Sequence, residues 1–167
     1  MEGFTLSPEQ KIVYAVGGLV LCFQEIERHF KFLVPLFDGD RQTWSSVLAK
    51  HQNLSREPLG RVVGLFLAAT TGDRDELQGF LKRLVDQRNE VVHHFSEKFG
   101  HQIAEGDYRA VADELKTLHE RATDLLKTLR ELAILAVESM RDTVFLRTES
   151  YDEIAALCEG ARKNLQS

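Results

Sequence analysis

The sequence predicts an all-α fold, a bundle of about four long helices joined by short connecting ones. Three observations carry this expectation. Apolar side chains recur three and four residues apart through long stretches, the repeat of one helix face. Prolines are few (Pro8, Pro35 and Pro58), and leucine is commoner than valine, a balance that suits helices better than sheets. Ser7 with Gln10, Asp73 with Glu76 and Ser150 with Glu153 have the spacing of capping boxes at helix starts.

The first helix opens at Ser7, with Pro8 in the first helical position, and is expected to run to about Val34, where Pro35 and then Asp38, Gly39 and Asp40 end it. Ile12, Val16, Leu19, Phe23, Ile26, Phe30 and Leu33 form one stripe, while Tyr14, Leu21 and Phe32 add a patch near the opposite side. A helix apolar on two sides has to bury both. It therefore either runs through the middle of the bundle or offers one face to a second subunit. Gly17 and Gly18 follow no strand and lack the Walker pattern, so they are expected to permit close helix packing rather than to cradle phosphate.

Residues 41–52 read as a short helix carrying Trp44, residues 54–57 as a break, and Pro58 to Leu67 as another short helix. Thr70, Thr71 and Gly72 form a loop. The next helix is expected from Arg74 to Phe95 or Phe99, with a loop from Gly100 to Gly106. Residues 107–147 contain neither proline nor glycine and read as one long helix; a final helix follows Ser150 to near Asn164. No repeat, low-complexity segment or linker interrupts the chain, so residues 1–167 read as a single domain.

Composition narrows the functional classes. A formal net charge of -5 gives no global basic field for tight, non-specific DNA binding, although a locally basic cleft on RNA remains compatible with it. Cys22 and Cys158 are too few for a disulfide framework and match no zinc spacing, so they read as buried free thiols. No metal and no cofactor is expected. The longest apolar run, Ile12 to Phe23, is shorter than the roughly 20 residues that span a bilayer. Glu2 and Glu9, with no basic segment ahead of that run, argue against a signal peptide. A cytoplasmic protein without a membrane partner is the expectation.

The chemistry is concentrated in one segment. Leu77, Leu81, Leu84, Arg88, Val91 and Phe95 form an apolar stripe with an arginine in its middle, and Arg88, Asn89 and His93 follow one another as R-N-x-x-x-H. Arginine, a polar residue and then histidine near the end of a helix resembles the signature of the HEPN superfamily, small helical proteins of which many are metal-independent ribonucleases. The long apolar first helix fits the same outline. The resemblance implies a HEPN-like bundle in which Arg88, Asn89 and His93 are catalytic. It also implies an RNA substrate, a homodimer that joins two motifs in one composite cleft, and a role as a toxin or defence effector with an antitoxin or regulatory protein as partner. Some relatives carry a modifiable tyrosine two residues after the histidine. Here that place is Phe95, which has no hydroxyl to modify.

Those residue types suit attack of a 2′-hydroxyl on the adjacent phosphate. Histidine exchanges protons near neutral pH, arginine holds phosphoryl oxygens with a forked pair of donors, and an amide orients either group. In a regular helix, however, Arg88 and His93 project about 140° apart. Convergence then needs a distorted helix end, a long arginine reaching around, or a partner's motif, and the composite dimer meets that need without strain. Two other readings stay open. Arg88 could be a structural arginine paired with Glu27, with His93 and His94 on the surface near Glu90. Alternatively, the chain could be a non-catalytic HEPN-like module that binds nucleotide, RNA or a protein. His101, Lys82, Arg83, Lys98 and the Glu120–Arg121 and Arg130–Glu131 pairs read as solvated charges, with Lys82, Arg83 and Lys98 available as a positive fringe.

Overall fold

The computed structural model describes residues 6–37, 43–71, 74–143, 145–148 and 151–166. Among them the chain is all-α, with seven helices: α1 (Pro8–Phe37), α2 (Trp44–Leu54), α3 (Leu59–Ala69), α4 (Asp75–His93), α5 (Phe95–Ala104), α6 (Tyr108–Thr143) and α7 (Tyr151–Gln166). Four are long and three short, as the apolar repeat implies.

The α1 helix is the axis of the molecule. It lies along α6 and is flanked by α2, α3 and α4, whereas α6 also carries α5 and α7. The expected stripe is what α1 buries: Leu19, Ile26, Phe30 and Leu33 are fully enclosed, and Ile12 and Phe23 nearly so. Burying a side chain of this size stabilises by about 1.5–3 kcal/mol, and Phe30 adds an edge-on contact with Phe66 at 5.1 Å between ring centres. The Ser7–Gln10 box forms at the entrance, with the Ser7 amide donating to Gln10 Oε1 (2.9 Å) and the Gln10 amide to Ser7 Oγ (3.3 Å).

Several boundaries differ from the expectation. Helix α1 continues through Pro35 to Phe37. A proline this close to the end forfeits one amide donor, while the residues beyond it are held by packing: Phe37 meets Phe66 at 5.8 Å. The expected stop at residues 38–40 lies outside the described residues, as do Asp73 and Ser150 of the other two capping boxes. Helix α2 begins at Trp44, where Thr43 and Ser46 form a reciprocal box. Residues 100–104 belong to α5, so only a short turn, with Gly106 at φ +79°, separates α5 from α6. His101 is therefore helical, exposed and paired with Glu105 at 3.1 Å.

Gly18 lies against the His119 ring of α6, the close approach expected of it, but Gly17 faces open space. It belongs to an exposed strip of α1 with Val13, Tyr14 and Leu21, which are 70%, 67% and 65% exposed. The second apolar face of α1 is thus left uncovered along much of its length, and Phe32 alone of the three patch residues is half-buried. Both cysteines are free and buried, and burial raises each thiol above its ordinary pKa. Arg162 of α7 pairs with Glu138 of α6, and the Tyr151 hydroxyl donates to Asp142 (3.3 Å). Among the described residues, no helix is long and apolar enough to cross a membrane.

Candidate active site at the break between two helices

The stripe expected for α4 is inward-facing from Leu81 onward. Leu81, Leu84 and Val91 are buried, whereas Leu77, one turn from the start of the helix, stays 37% exposed. Arg88 sits on this stripe with its side chain half-buried, and the helix does not run on past the motif. At His94 the backbone turns to φ -122°, ψ 25°, far from helical values, and the His94 amide is shared between the carbonyls of Asn89 and Glu90 at 3.2 Å each. Helix α5 restarts at Phe95 and packs on α6. The expected continuous helix to Phe95 or Phe99 is therefore two helices with a corner at the motif. Neither glycine nor proline causes it; the corner redirects the chain onto a different packing partner.

The length of the arginine side chain solves the geometric problem posed by a regular helix, since Arg88 and His93 both lie within α4. Arg88 reaches around α4 and its Nη1 lies 2.7 Å from His93 Nε2 and 3.2 Å from Asn89 Oδ1. The three motif residues meet within one chain, so a second subunit is not needed to bring Arg88 and His93 together. A guanidinium only donates, so His93 Nε2 must accept. The ring is then neutral, with its proton on Nδ1. His94 stands beside it, the two rings edge to face at 6.4 Å, and is tied to Glu97 (3.0 Å) rather than to Arg88.

The charges around Arg88 are as informative as its contacts. Glu27, the carboxylate expected to pair with it, instead accepts from Lys31 one turn along α1, at 2.7 Å. That pairing is corrected: an i, i+4 partner on the same helix is nearer than an arginine on α4. Glu90 is held by Lys98 at 2.5 Å, and Lys98 also reaches Glu114 at 2.7 Å. Glu97 faces His94. Among the described residues, Arg88 has no carboxylate partner and rests on two neutral acceptors. A half-buried cation without a counter-ion is costly and is disposed to take an anion.

Lys98 was expected only as part of a positive fringe. It joins three helices, Glu90 of α4 and Glu114 of α6 from its own place on α5. Burial alone would lower its pKa, but the hydrogen bonds it donates to Glu114 and Glu90 outweigh this and raise it, so it stays charged. Lys98 thus links the three helices that meet at the corner and takes up Glu90. Its signal in the sequence was faint: eight residues separate it from Glu90, a spacing that means nothing until the helix is known to turn. His94 with Glu97 three places later was the one local hint of a new helix start.

The site has no metal-binding character of the usual kind: among the described residues, no group of three or more His, Cys, Asp or Glu side chains could hold an ion. Phe95 is half-buried and packs its ring on Phe99 at 5.0 Å. Compared with known protein families, curated proteins and solved structures, the chain matches none of them.

Proposed function

We propose that this chain is a HEPN-like, metal-independent endoribonuclease whose site is Arg88, Asn89 and His93. The observation that carries the proposal is the contact of an arginine lacking a counter-ion with a neutral histidine, at a partly exposed helix corner. In this reading a phosphodiester draws Arg88 onto its non-bridging oxygens. That movement frees His93 Nε2 to take the proton of the 2′-hydroxyl, while Asn89 keeps the guanidinium and ring in register. Attack of the 2′-oxygen on phosphorus expels the 5′-oxygen, which takes a proton from water while His93 returns its own to solvent, and leaves a 2′,3′-cyclic phosphate and a 5′-hydroxyl.

The uncovered strip Val13, Tyr14 and Leu21 supports a homodimer. Each protomer would bring its own Arg–Asn–His group to a shared RNA. Action as a toxin or defence effector restrained by an antitoxin is part of the same proposal and rests on the resemblance.

The test is incubation of purified protein with single-stranded RNA in excess chelator, followed by end-group mapping. Cleavage with cyclic-phosphate ends that is abolished in His93→Ala supports the reading; equal cleavage by that variant defeats it. A second reading is favoured by the same contact, since Arg88 occupies the lone pair a base would use. The chain would then bind RNA or a nucleotide without cutting it, and protection of Arg88 by ligand with no product would mark that outcome.

A further inference from the structure

A concave site lies on another flank of α4. Helices α4 and α6 both pack on α1 but scarcely meet one another, which leaves a valley between them. One part of it, about 320 Å³, is lined by Phe80, Arg83, Leu84 and Gln87 of α4 and by Arg121 of α6. The four α4 residues fall at i, i+3, i+4 and i+7, one stripe of the helix. Gln87 and Asn89 project about 160° apart, so this stripe does not face the Arg88–His93 contact.

The lining has an uncommon composition for an acidic protein. Among the described residues, neither Arg83 nor Arg121 has a hydrogen-bonded or ion-paired partner. The Arg83 Nη1 lies 3.5 Å from where a Cβ would stand on Gly79, which places the guanidinium over the turn that bears Phe80. Phe80 is a large apolar ring left 39% exposed beside it. The carboxylates farther along the valley are occupied, Glu114 by Lys98 and Asp113 facing Arg109. Of the cations that line the valley, Arg83, Lys98 and Arg121, only Lys98 is bonded to carboxylates.

From this arrangement we infer that the α4–α6 valley binds a nucleotide unit. Arg83 and Arg121 hold the phosphate, Phe80 stacks on the base, and the Gln87 amide supplies hydrogen bonds to the base edge or ribose. Arginine forks suit phosphate oxygens, an exposed aromatic beside them suits a nucleobase, and the volume accommodates one such unit. The ligand is either a free nucleotide or one residue of an RNA strand, which present the same chemistry. The inference does not depend on catalysis at His93.

The test is titration of the full chain with adenosine 5′-monophosphate, adenosine, inorganic phosphate and tetra-adenylate at low salt, read by amide chemical shifts. Saturable shifts at Phe80 to Gln87 and at Arg121 are expected with the monophosphate, with adenosine and phosphate each binding more weakly. Phe80→Ala and Arg121→Ala should each weaken binding by about tenfold or more, whereas His93→Ala should not. Tighter binding of the tetra-adenylate identifies a strand as the source, and equal or weaker binding identifies the free nucleotide. No saturable shift below about 10 mM, a millimolar affinity being the weakest a built site would show, overturns the inference. So does binding that survives loss of both arginines in Arg83→Ala/Arg121→Ala, or inorganic phosphate binding as tightly as the monophosphate.

Discussion

Arg88 Nη1 donates to His93 Nε2 across 2.7 Å, although the two residues stand on different faces of the helix that carries them. The bond fixes the tautomer of the ring. Long-range nitrogen–proton spectra at neutral pH should show His93 with its proton on Nδ1, and Arg88→Ala should release it to the mixture of forms seen in free histidine. In the proposed reaction, Arg88→Ala and His93→Ala should each lower RNA cleavage by about two to four orders of magnitude. Folding should be unaffected, as His93 is exposed and Arg88 half-buried. A His93 ring protonated on Nε2 in the wild type would contradict the geometry.

Lys98→Met should act on the site without touching it. It removes the tie between α4, α5 and α6 and releases Glu90 toward Arg88. All three groups are about a third or more exposed, so the loss of stability should be modest, about 1 kcal/mol. Hydrogen exchange in α5 should quicken, and cleavage should fall by a larger factor than stability accounts for. Unchanged α5 protection would show that the corner is held by packing alone.

Phe30→Ala, in contrast, removes a fully buried ring from the axis of the bundle and should cost about 3–5 kcal/mol in urea denaturation. Lys11→Ala lies on the same helix, at an exposed position away from the Val13–Leu21 strip, and should leave stability within about 0.5 kcal/mol.

That exposed strip is where the proposed dimer would form. Tyr14→Asp/Leu21→Asp should convert a dimer to a monomer in sedimentation equilibrium while leaving the helical content intact. A wild-type chain that is monomeric at tens of micromolar would remove the basis for a shared cleft.

Helix α7 should loosen in acid. The hydrogen bond from Arg162 holds the Glu138 carboxyl below its ordinary pKa of 4.5, so the pairing contributes fully above that value and is lost as pH falls through the lower, folded-state one. Proteolysis within α7 should therefore accelerate as the pH is lowered below 4.5. Glu138→Gln should already show faster cleavage at neutral pH, with a weaker response to acid.

The sequence by itself determined the helical class, the buried stripe of α1 and the position of Arg88 among apolar residues. These follow from periodicity, which each helix carries in its own residues. It also supplied the Ser7–Gln10 cap, a contact between neighbours three apart. Only the tertiary structure decided that the chain turns at His94, that Lys98 takes Glu90 beside the motif, and that Arg121 borders the valley between α4 and α6. The turn has no glycine or proline to announce it, because what produces it is the packing of α5 on α6, between elements not yet in contact when the chain is read residue by residue. Arg88 and His93 both lie within α4, where local spacing places them about 140° apart; the long arginine side chain, reaching around the helix, brings its Nη1 to the ring.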